Sequence, residues 1–506
     1  MRIVIWHGWL LEGSGSNVGT ARLAEAWRAA GHDVVLLCQE RHPERYGWID
    51  AHGLVDAGGP STLTTLRAPA PGGGRCVLLR PQIGDTLPVF VVDRYEGFDD
   101  VRRFPDLADD ELRSYLRANV EALRAAAAWH GSEAAVTGHA IPGAAIGRRA
   151  LGAGAYVAKI HGSDLEYAVR LQARFQDLAR EGLGGARAVV GPSAEVLERC
   201  ASFVPEVRRL GRVVPPGVDV DAFRPRPRGQ ALRSAAERLE TDPDTGRGRP
   251  DALDAEVERA LAARDAKALD TLATRYDQDV ADPGAAQRLR LLAASRAPIV
   301  GFLGKLIPQK GPARVLAAQR SLVRDTEALI VGFGSHREWL VALDLAYRRG
   351  DAEALAWVVD AGSMGIDGSD PGRSGEPRRV TFTGRLDHRY APDALAAMDV
   401  LVVPSILEEA FGMVVAEGAA AGALPLVARH SGLAEVAGAL ESEVGRPGLF
   451  SFEPGDGAVP RIAAGIDRLL SIDPDEREDL AGAVSDFVGR EWTWRRAAAD
   501  LLDVAT

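Results

Sequence analysis

Short apolar runs alternate with helical stretches along most of this chain, and the alternation predicts its architecture. The runs at residues 2 to 6 and 33 to 38 are separated by a helical stretch, Ala21 to Ala30, and the turn Gly31-His32, so the chain opens as a βαβ unit. Further strand-like runs follow at Phe90 to Asp93, Ala134 to Thr137, Tyr156 to Ile160, Ala188 to Val190 and Arg212 to Val214, with helical stretches such as Glu111 to His130 between several of them. A second series begins at Pro298 to Leu303 and continues through Ala328 to Val331, Val380 to Phe382, Val400 to Val403 and Leu424 to Ala428. The expected fold class is α/β, with two facing Rossmann-like domains, each built on a parallel sheet.

The first unit is expected over residues 1 to 215 and the second over 298 to 485. Residues 226 to 297 fit neither. They are rich in Ala, Arg, Asp and Glu around a turn-forming centre, Thr241 to Gly246, and are expected to be an inserted pair of polar helices or a partly ordered excursion. Residues 362 to 377, dense in Gly, Ser, Asp and Pro, are expected to be a flexible loop.

Composition narrows the function classes. At 506 residues the chain is too long for one core, and 46% hydrophobic with 26% charged residues describes a soluble globular protein. A net charge of −11 argues against nucleic-acid binding and against a membrane hold by global charge, while leaving room for peripheral membrane contact through a local basic patch. Cys38, Cys76 and Cys200 have no metal-ligand spacing and sit beside apolar residues, as in a reducing compartment. The chain runs from Met1 straight into strand-like sequence, and no apolar run reaches the length of a membrane span. A cytoplasmic protein is expected.

The densest chemistry lies at Glu409 and Glu417. The apolar run Val400 to Val403 leads into this segment and the small, apolar stretch Met413 to Ala421 reads as a buried helix, so the two acids bracket a strand-to-helix turn at Gly412. Unpaired N–H groups at that helix start suit an anionic or hydroxyl-rich ligand. Glu417 sits among Val, Ala and Gly, where an unpaired charge is costly, and this favours a functional acid over a surface one. Lysine is rare, with Lys159, Lys267, Lys305 and Lys310 the whole complement, yet two of the four fall in Gly304-Lys305-Leu306-Ile307-Pro308-Gln309-Lys310-Gly311 directly after a strand. Two ammonium groups there suit a diphosphate that gains negative charge as its bond to a sugar breaks.

His161, in Lys159-Ile160-His161-Gly162-Ser163-Asp164, closes a strand of the first half, where open α/β sheets bind ligands. The loop Glu12 to Gly19 with Glu40 has the look of a dinucleotide fingerprint, although its first glycine comes late after the strand. Asp219-Val220-Asp221 reads as turn and hinge chemistry, and no His or Cys cluster supports a metal.

In order, the glycine loop at 13 to 19, His161-Gly162-Ser163-Asp164, Pro216-Gly217-Val218-Asp219, Gly304-Lys305 with Lys310-Gly311, Gly332-Phe333-Gly334, Thr383-Gly384-Arg385-Leu386 and Glu409-x-Phe-Gly to Glu417 resemble the motif series of glycosyltransferase family 4. Glu491-Trp492-Thr493-Trp494-Arg495 resembles its terminal helix, so that residues 486 to 506 are expected to pack back on the first unit. The resemblance implies a GT-B fold with an acceptor-binding first unit and a donor-binding second unit. It implies retaining transfer of a hexose-type sugar from a nucleotide diphosphate sugar, the co-substrate, to a hydroxyl acceptor in the interdomain cleft, with no obligatory metal or other cofactor. Carried over by position, Lys305 and Lys310 would hold the diphosphate and Glu417 the ribose. Glu409 and the backbone of Phe411, Gly412, Met413 and Val414 would hold the donor sugar, and His161 would contact that sugar near its reacting face. Gly15, Gly304, Gly334, Arg385 and Leu386 fall at the donor, and Ser16, Asn17 and Asp164 at the acceptor. Two departures stand out: Lys305 occupies a position where Arg is commoner, and Glu408 offers a second acid at the critical turn. The alternatives are a nicotinamide-dependent oxidoreductase using the 13 to 19 loop and Glu40, and a non-catalytic nucleotide-sugar-binding regulator.

Overall fold

The computed structural model describes residues 1–506 apart from 69–71, 93, 94, 96 and 367–378. The chain divides into two compact units, Met1–Gly217 with Trp492–Thr506, and Val218–Glu491.

The first unit is built on strands β1 (Arg2–Trp6), β2 (Asp33–Leu37), β3 (Ala51–Asp56), β4 (Gly59–Thr65), β5 (Cys76–Pro81), β8 (Ala134–Gly138), β9 (Val157–Lys159), β10 (Ala188–Gly191) and β11 (Gly211–Val213). Their order across the sheet is β11-β10-β9-β8-β1-β2-β5-β3-β4, parallel throughout except for the β3–β4 pair. The central strands are continuous apolar runs because helices cover both faces. β3 and β4 were not legible as apolar runs, since β4 is largely exposed and Thr-rich and β3 carries His52 and Gly53. The apolar run at 90 to 93 is not where the strand lies. β6 (Thr86–Val89) pairs with β7 (Asp100–Arg103) in a separate parallel ribbon, and Phe90 turns inward against Trp9 and Phe104; Asp93 lies outside the described residues. The first helix, Gly15–Ala29, starts earlier than the periodicity suggests because Ser14 caps it, its Oγ accepting from Asn17 N at 3.3 Å.

The last helix, Trp494–Ala505, completes this core. It packs on Gly15–Ala29, and the buried Trp27 donates its indole N–H to Ala498 O at 2.9 Å. The preceding helix, Pro474–Glu491, stays with the second unit, so the boundary falls at 491/492 rather than at 486.

The second unit carries β12 (Ile299–Leu303), β13 (Glu327–Val331), β14 (Val380–Phe382), β15 (Val400–Val403), β16 (Leu424–Ala428) and β17 (Ser451–Phe452), all parallel in the order β14-β13-β12-β15-β16-β17. Winding reverses between β12 and β15, as it does between β1 and β8 in the first sheet, and crevices for ligands open at such reversals.

Residues 226 to 297 belong to the second unit and are more ordered than their composition suggests. They form the helices Arg228–Glu240, Asp254–Ala263, Ala266–Leu272 and Ala285–Ala294 rather than one pair. The first and last of these pack together and bury Leu232, Leu239 and Leu289, an apolar stripe hidden among arginines and acids. Buried ionic groups fasten the insert down: Arg249 donates to Glu338 at 2.8 Å, Tyr276 OH donates to the same carboxylate at 2.7 Å, and Arg337 meets Asp282 at 2.9 Å. Of the loop expected at 362 to 377, residues 367 to 377 lie outside the described residues.

Candidate active site

The second unit's site forms where β12 and β15 end side by side. Beyond Leu303 the chain passes through Gly304 and Lys305 into a tight turn, Pro308–Lys310, and then the helix Pro312–Ser321. Beyond Val403 it runs through residues 404 to 412 into the helix Met413–Ala420. The two loops are laced together, with Ile406 N and Leu407 N both donating to Gln309 O at 2.8 and 3.2 Å. This brings Lys310 onto Glu409 as a half-buried ion pair. Glu409 is itself held by its backbone, its N–H donating to Ser431 Oγ at 3.0 Å and its carbonyl accepting from Gly432 N at 2.9 Å. Its neighbour Glu408 is exposed. Glu409 thus shares the loop crossing with a lysine.

Gly412 starts the helix with φ +98°, in the left-handed region, and a Cβ there would meet Leu433 at 2.6 Å. Phe411 is buried, while Met413 and Val414 are half-buried at the helix start, where backbone N–H groups lack intrahelical partners. One turn on, the Glu417 side chain is 14% exposed and its Oε1 lies 3.9 Å from His388 Nε2. Burial pushes its carboxyl up to about 8, so near neutral pH it is held largely protonated. A neutral carboxyl both donates and accepts hydrogen bonds, which suits a pair of vicinal hydroxyls.

Along the same edge, β13 ends in Gly332-Phe333-Gly334 and β14 in Thr383-Gly384-Arg385-Leu386. Lys305, exposed, stands 5.5 Å over the Phe333 ring, and the Arg385 guanidinium lies 5.3 Å from that ring. Leu386 is buried. Lys310, Glu409, Glu417, Lys305, Arg385, Gly304 and Gly334 thus all sit on the carboxyl edge of one sheet.

The first unit has its own edge at the β1/β8 reversal, and here the chemistry is of another kind. His7 and Trp9 follow β1, His139 follows β8 with φ +71°, and His161 follows β9. Ring centroids of His139 lie 4.5 Å from His161, 6.0 Å from His7 and 4.4 Å from Trp9. Burial drives the imidazoles toward the neutral form, His7 down to about 4 and His139 and His161 well below the usual value, and the cation of Lys159 adds to the effect. The Lys159 ammonium lies 3.3 Å from His161 Nε2 and is itself lowered to about 8 by burial. A neutral His161 whose Nε2 accepts from an ammonium presents Nδ1–H as a donor.

The residues expected at the acceptor divide. Asn17 is buried, its side-chain oxygen on His7 Nε2 at 2.9 Å and its amide donating to Glu12 O at 2.6 Å. Asp164 is fully buried and accepts from the backbone N–H groups of Ala140, Gly162 and Leu165 at 2.5, 2.9 and 3.1 Å. Both carry internal structure: Asn17 sets the His7 ring and Asp164 ties the β8 and β9 loops together. Ser16 is half-exposed in the first turn of the helix that Gly15 begins. Glu40 is likewise spent, accepting from Leu11 N, Arg41 N, His42 N and Tyr46 OH, which leaves the dinucleotide reading without a free ribose acid. Asp219 caps a turn at Ala222 N. Among the described residues no group of three or more His, Cys, Asp or Glu side chains is arranged to hold a metal.

His7, Trp9, His139 and Lys159 were not singled out by sequence reading. His7 and His139 directly follow the strands that flank the reversal, the same signal that marked His161.

Residues 367–471 match the family described as Glycosyl transferases group 1. Over the whole length the fold matches sucrose-phosphate synthase from Thermosynechococcus elongatus, with a TM-score of 0.56, 19% identity and coverage of 99% of this chain and 98% of that one. The chain has the GT-B fold of the glycosyltransferases. A second structure, Anabaena Alr3699/HepE in complex with UDP-glucose, matches with a TM-score of 0.55 at 13% identity over 99% of this chain and 98% of that one. In sequence, the chain is 27% identical over 235 residues to the 2-deoxystreptamine glucosyltransferase of Streptomyces kanamyceticus, covering 45% of this chain and 50% of that protein. It is 30% identical over 258 residues to a GDP-mannose-dependent alpha-(1-6)-phosphatidylinositol monomannoside mannosyltransferase of Mycobacterium tuberculosis, covering 48% and 57%. These alignments span about half the length of each curated relative. No described helix is long and apolar enough to cross a membrane.

Proposed function

We propose that this chain is a retaining glycosyltransferase that moves a hexose-type sugar from a nucleotide diphosphate sugar to a hydroxyl acceptor, without an obligatory metal. The observation that carries the reading is the Lys310–Glu409 pair at the β12/β15 reversal, with Lys305 and the half-buried Glu417 on the same sheet edge. In this reading Lys305 and Lys310 hold the diphosphate, Glu417 hydrogen-bonds the ribose, and Glu409 with the N–H groups at the start of Met413–Ala420 orients the sugar. His161 serves the donor sugar near its reacting carbon, as a neutral donor. The anomeric C–O bond to the diphosphate breaks and the acceptor oxygen bonds to the same face of that carbon. The acceptor's proton passes to the departing phosphate, and stabilising that anion supplies most of the rate. A cytoplasmic place of action fits the three buried free cysteines.

The donor is sought first among uridine and guanosine diphosphate sugars, since one structural relative holds UDP-glucose and one curated relative is named for GDP-mannose. The names of the curated relatives point to two acceptor classes, an aminocyclitol and a phosphoinositide glycolipid, and both are to be offered. Thermal-shift screening with uridine, guanosine, adenosine and thymidine diphosphates and their sugars comes first, because a bound donor raises the melting temperature by mass action whatever the acceptor. Transfer or donor hydrolysis with one of them supports the reading. Donor binding with neither activity would favour a regulator, and a shift with nicotinamide dinucleotides alone would overturn it.

A further inference from the structure

The insert at 226 to 297 takes hold of the same loop that carries Arg385 and His388. Its segment 280 to 282 runs antiparallel to 383 to 385: Asp282 N donates to Thr383 O at 2.8 Å, Arg385 N donates to Val280 O at 3.1 Å, and Ala281 bridges Gly384. Gly384 makes the approach feasible, with φ +72° and room for no Cβ, which would stand 2.7 Å from Asp282 N and 2.9 Å from Val280 O. Just upstream, Asp279 Oδ1 lies 3.4 Å from Arg385 Nη1, on the guanidinium that flanks Phe333. Tyr276, Gln278 and Val280 line a recess together with Phe333. The insert grips the far end of the loop as well. Asp242, its side chain buried, accepts from Tyr390 OH at 2.8 Å and pairs with Arg389 at 3.2 Å.

Loop 383 to 390 is therefore clasped at both ends by the insert, and between the clasps stands His388, 3.9 Å from Glu417. A ligand whose diphosphate lies over β12 and β15 and whose ribose reaches Glu417 has its base directed toward β13 and β14, where the clasped loop and the recess beside Phe333 lie. We propose that the insert sets nucleoside recognition at the candidate donor site, with Asp279 and Asp242 as positioning residues that act through Arg385 and Arg389. The proposal rests on the donor reading of that edge, and its test separates the two.

Binding of uridine, guanosine, adenosine and thymidine diphosphates and of inorganic pyrophosphate is measured by calorimetry on the full chain and on Asp279→Asn, Asp279→Glu and Asp242→Asn. An exposed ion pair of this kind is worth about fivefold in affinity. Asp279→Asn is expected to lose that for the nucleoside diphosphates and nothing for pyrophosphate, with Asp279→Glu recovering most of it. Asp242→Asn is expected to lose more with the same split; because it touches a buried group, the exposed Asp279 carries the decision if that variant melts early. Equal losses for nucleoside diphosphate and pyrophosphate, or no loss in the Asp279 variants, would overturn the insert's role. Wild-type protein that binds none of the uridine, guanosine, adenosine and thymidine diphosphates would overturn the donor reading, and this proposal with it.

Discussion

The two sheets share one topology and put opposite chemistry on it. Each reverses its winding at a central pair of strands, β1/β8 in one and β12/β15 in the other, and each gathers its reactive side chains on the loops that leave those strands. In the second unit the gathered groups are a lysine paired with a glutamate, a second lysine over an aromatic ring and an acid kept largely neutral. In the first unit they are imidazoles stripped of charge by burial beside one lysine whose own proton is loosened. Topology decides where a ligand can lie; it leaves open what the ligand must be. Fixed charges at one edge suit a charged leaving group, and neutral donors at the other suit sugar hydroxyls, where an ion would only be desolvated at a cost.

The contrast breaks most readily at the lysines. Lys310→Ala and Lys305→Ala should fold normally and lose transfer by about 10²- to 10³-fold, the scale of removing one preorganised electrostatic group. Full activity in either, measured as product formed per folded molecule, would remove the diphosphate from this edge. The two glutamates should then separate by kinetics. Glu409→Ala is expected to lower kcat by roughly tenfold or more, and Glu417→Ala to raise the donor KM by a similar factor with kcat nearly kept.

Glu417 also makes a stability prediction. Its folded pKa, about 8, lies above the unfolded value of 4.5, so the unfolded chain releases its proton first and stability falls as pH rises between the two. Glu417→Gln should remove that fall, gaining on the order of 4 kcal/mol at pH 8 and nothing below pH 4. Denaturant melts across that range check it, and a variant parallel to wild type would contradict it. The first unit should be silent over the same interval. The imidazole resonances of His7, His139 and His161 are expected to stay at neutral positions from pH 8 down to about 5, since burial holds all three below that range; an imidazolium signal from any of them at pH 6 would end the contrast. The smallest effect belongs to Glu408→Gln, expected within about twofold in every kinetic constant, because the side chain is exposed, keeps its size, and exposed charges contribute little in water.

Most of the fold could be read from the chain because buried parallel strands are apolar on both faces and announce themselves, as at Val400 to Val403 and Ala134 to Thr137. β4 could not, being exposed and Thr-rich, and the order of the insert was hidden because its apolar stripe is narrow and its anchors are buried ion pairs such as Arg249 with Glu338. The site was legible where residue type alone implies chemistry, as with two of four lysines in one loop. It was illegible where a polar residue spends itself internally. Asn17, Asp164 and Glu40 each look free in a sequence, and each is committed to partners that only the folded chain brings near.

The Trp27–Ala498 hydrogen bond ties the order of synthesis to the order of folding. The helix that closes the first unit's core is made after every residue of the second unit, so a ribosome adding about 5–20 residues per second must finish Val218–Glu491 before Met1–Gly217 can complete its packing. For that interval the face that receives Trp494–Ala505 stays uncovered, with Trp27 still short of its carbonyl partner. Of the two units, the one that emerges earlier is the one finished later.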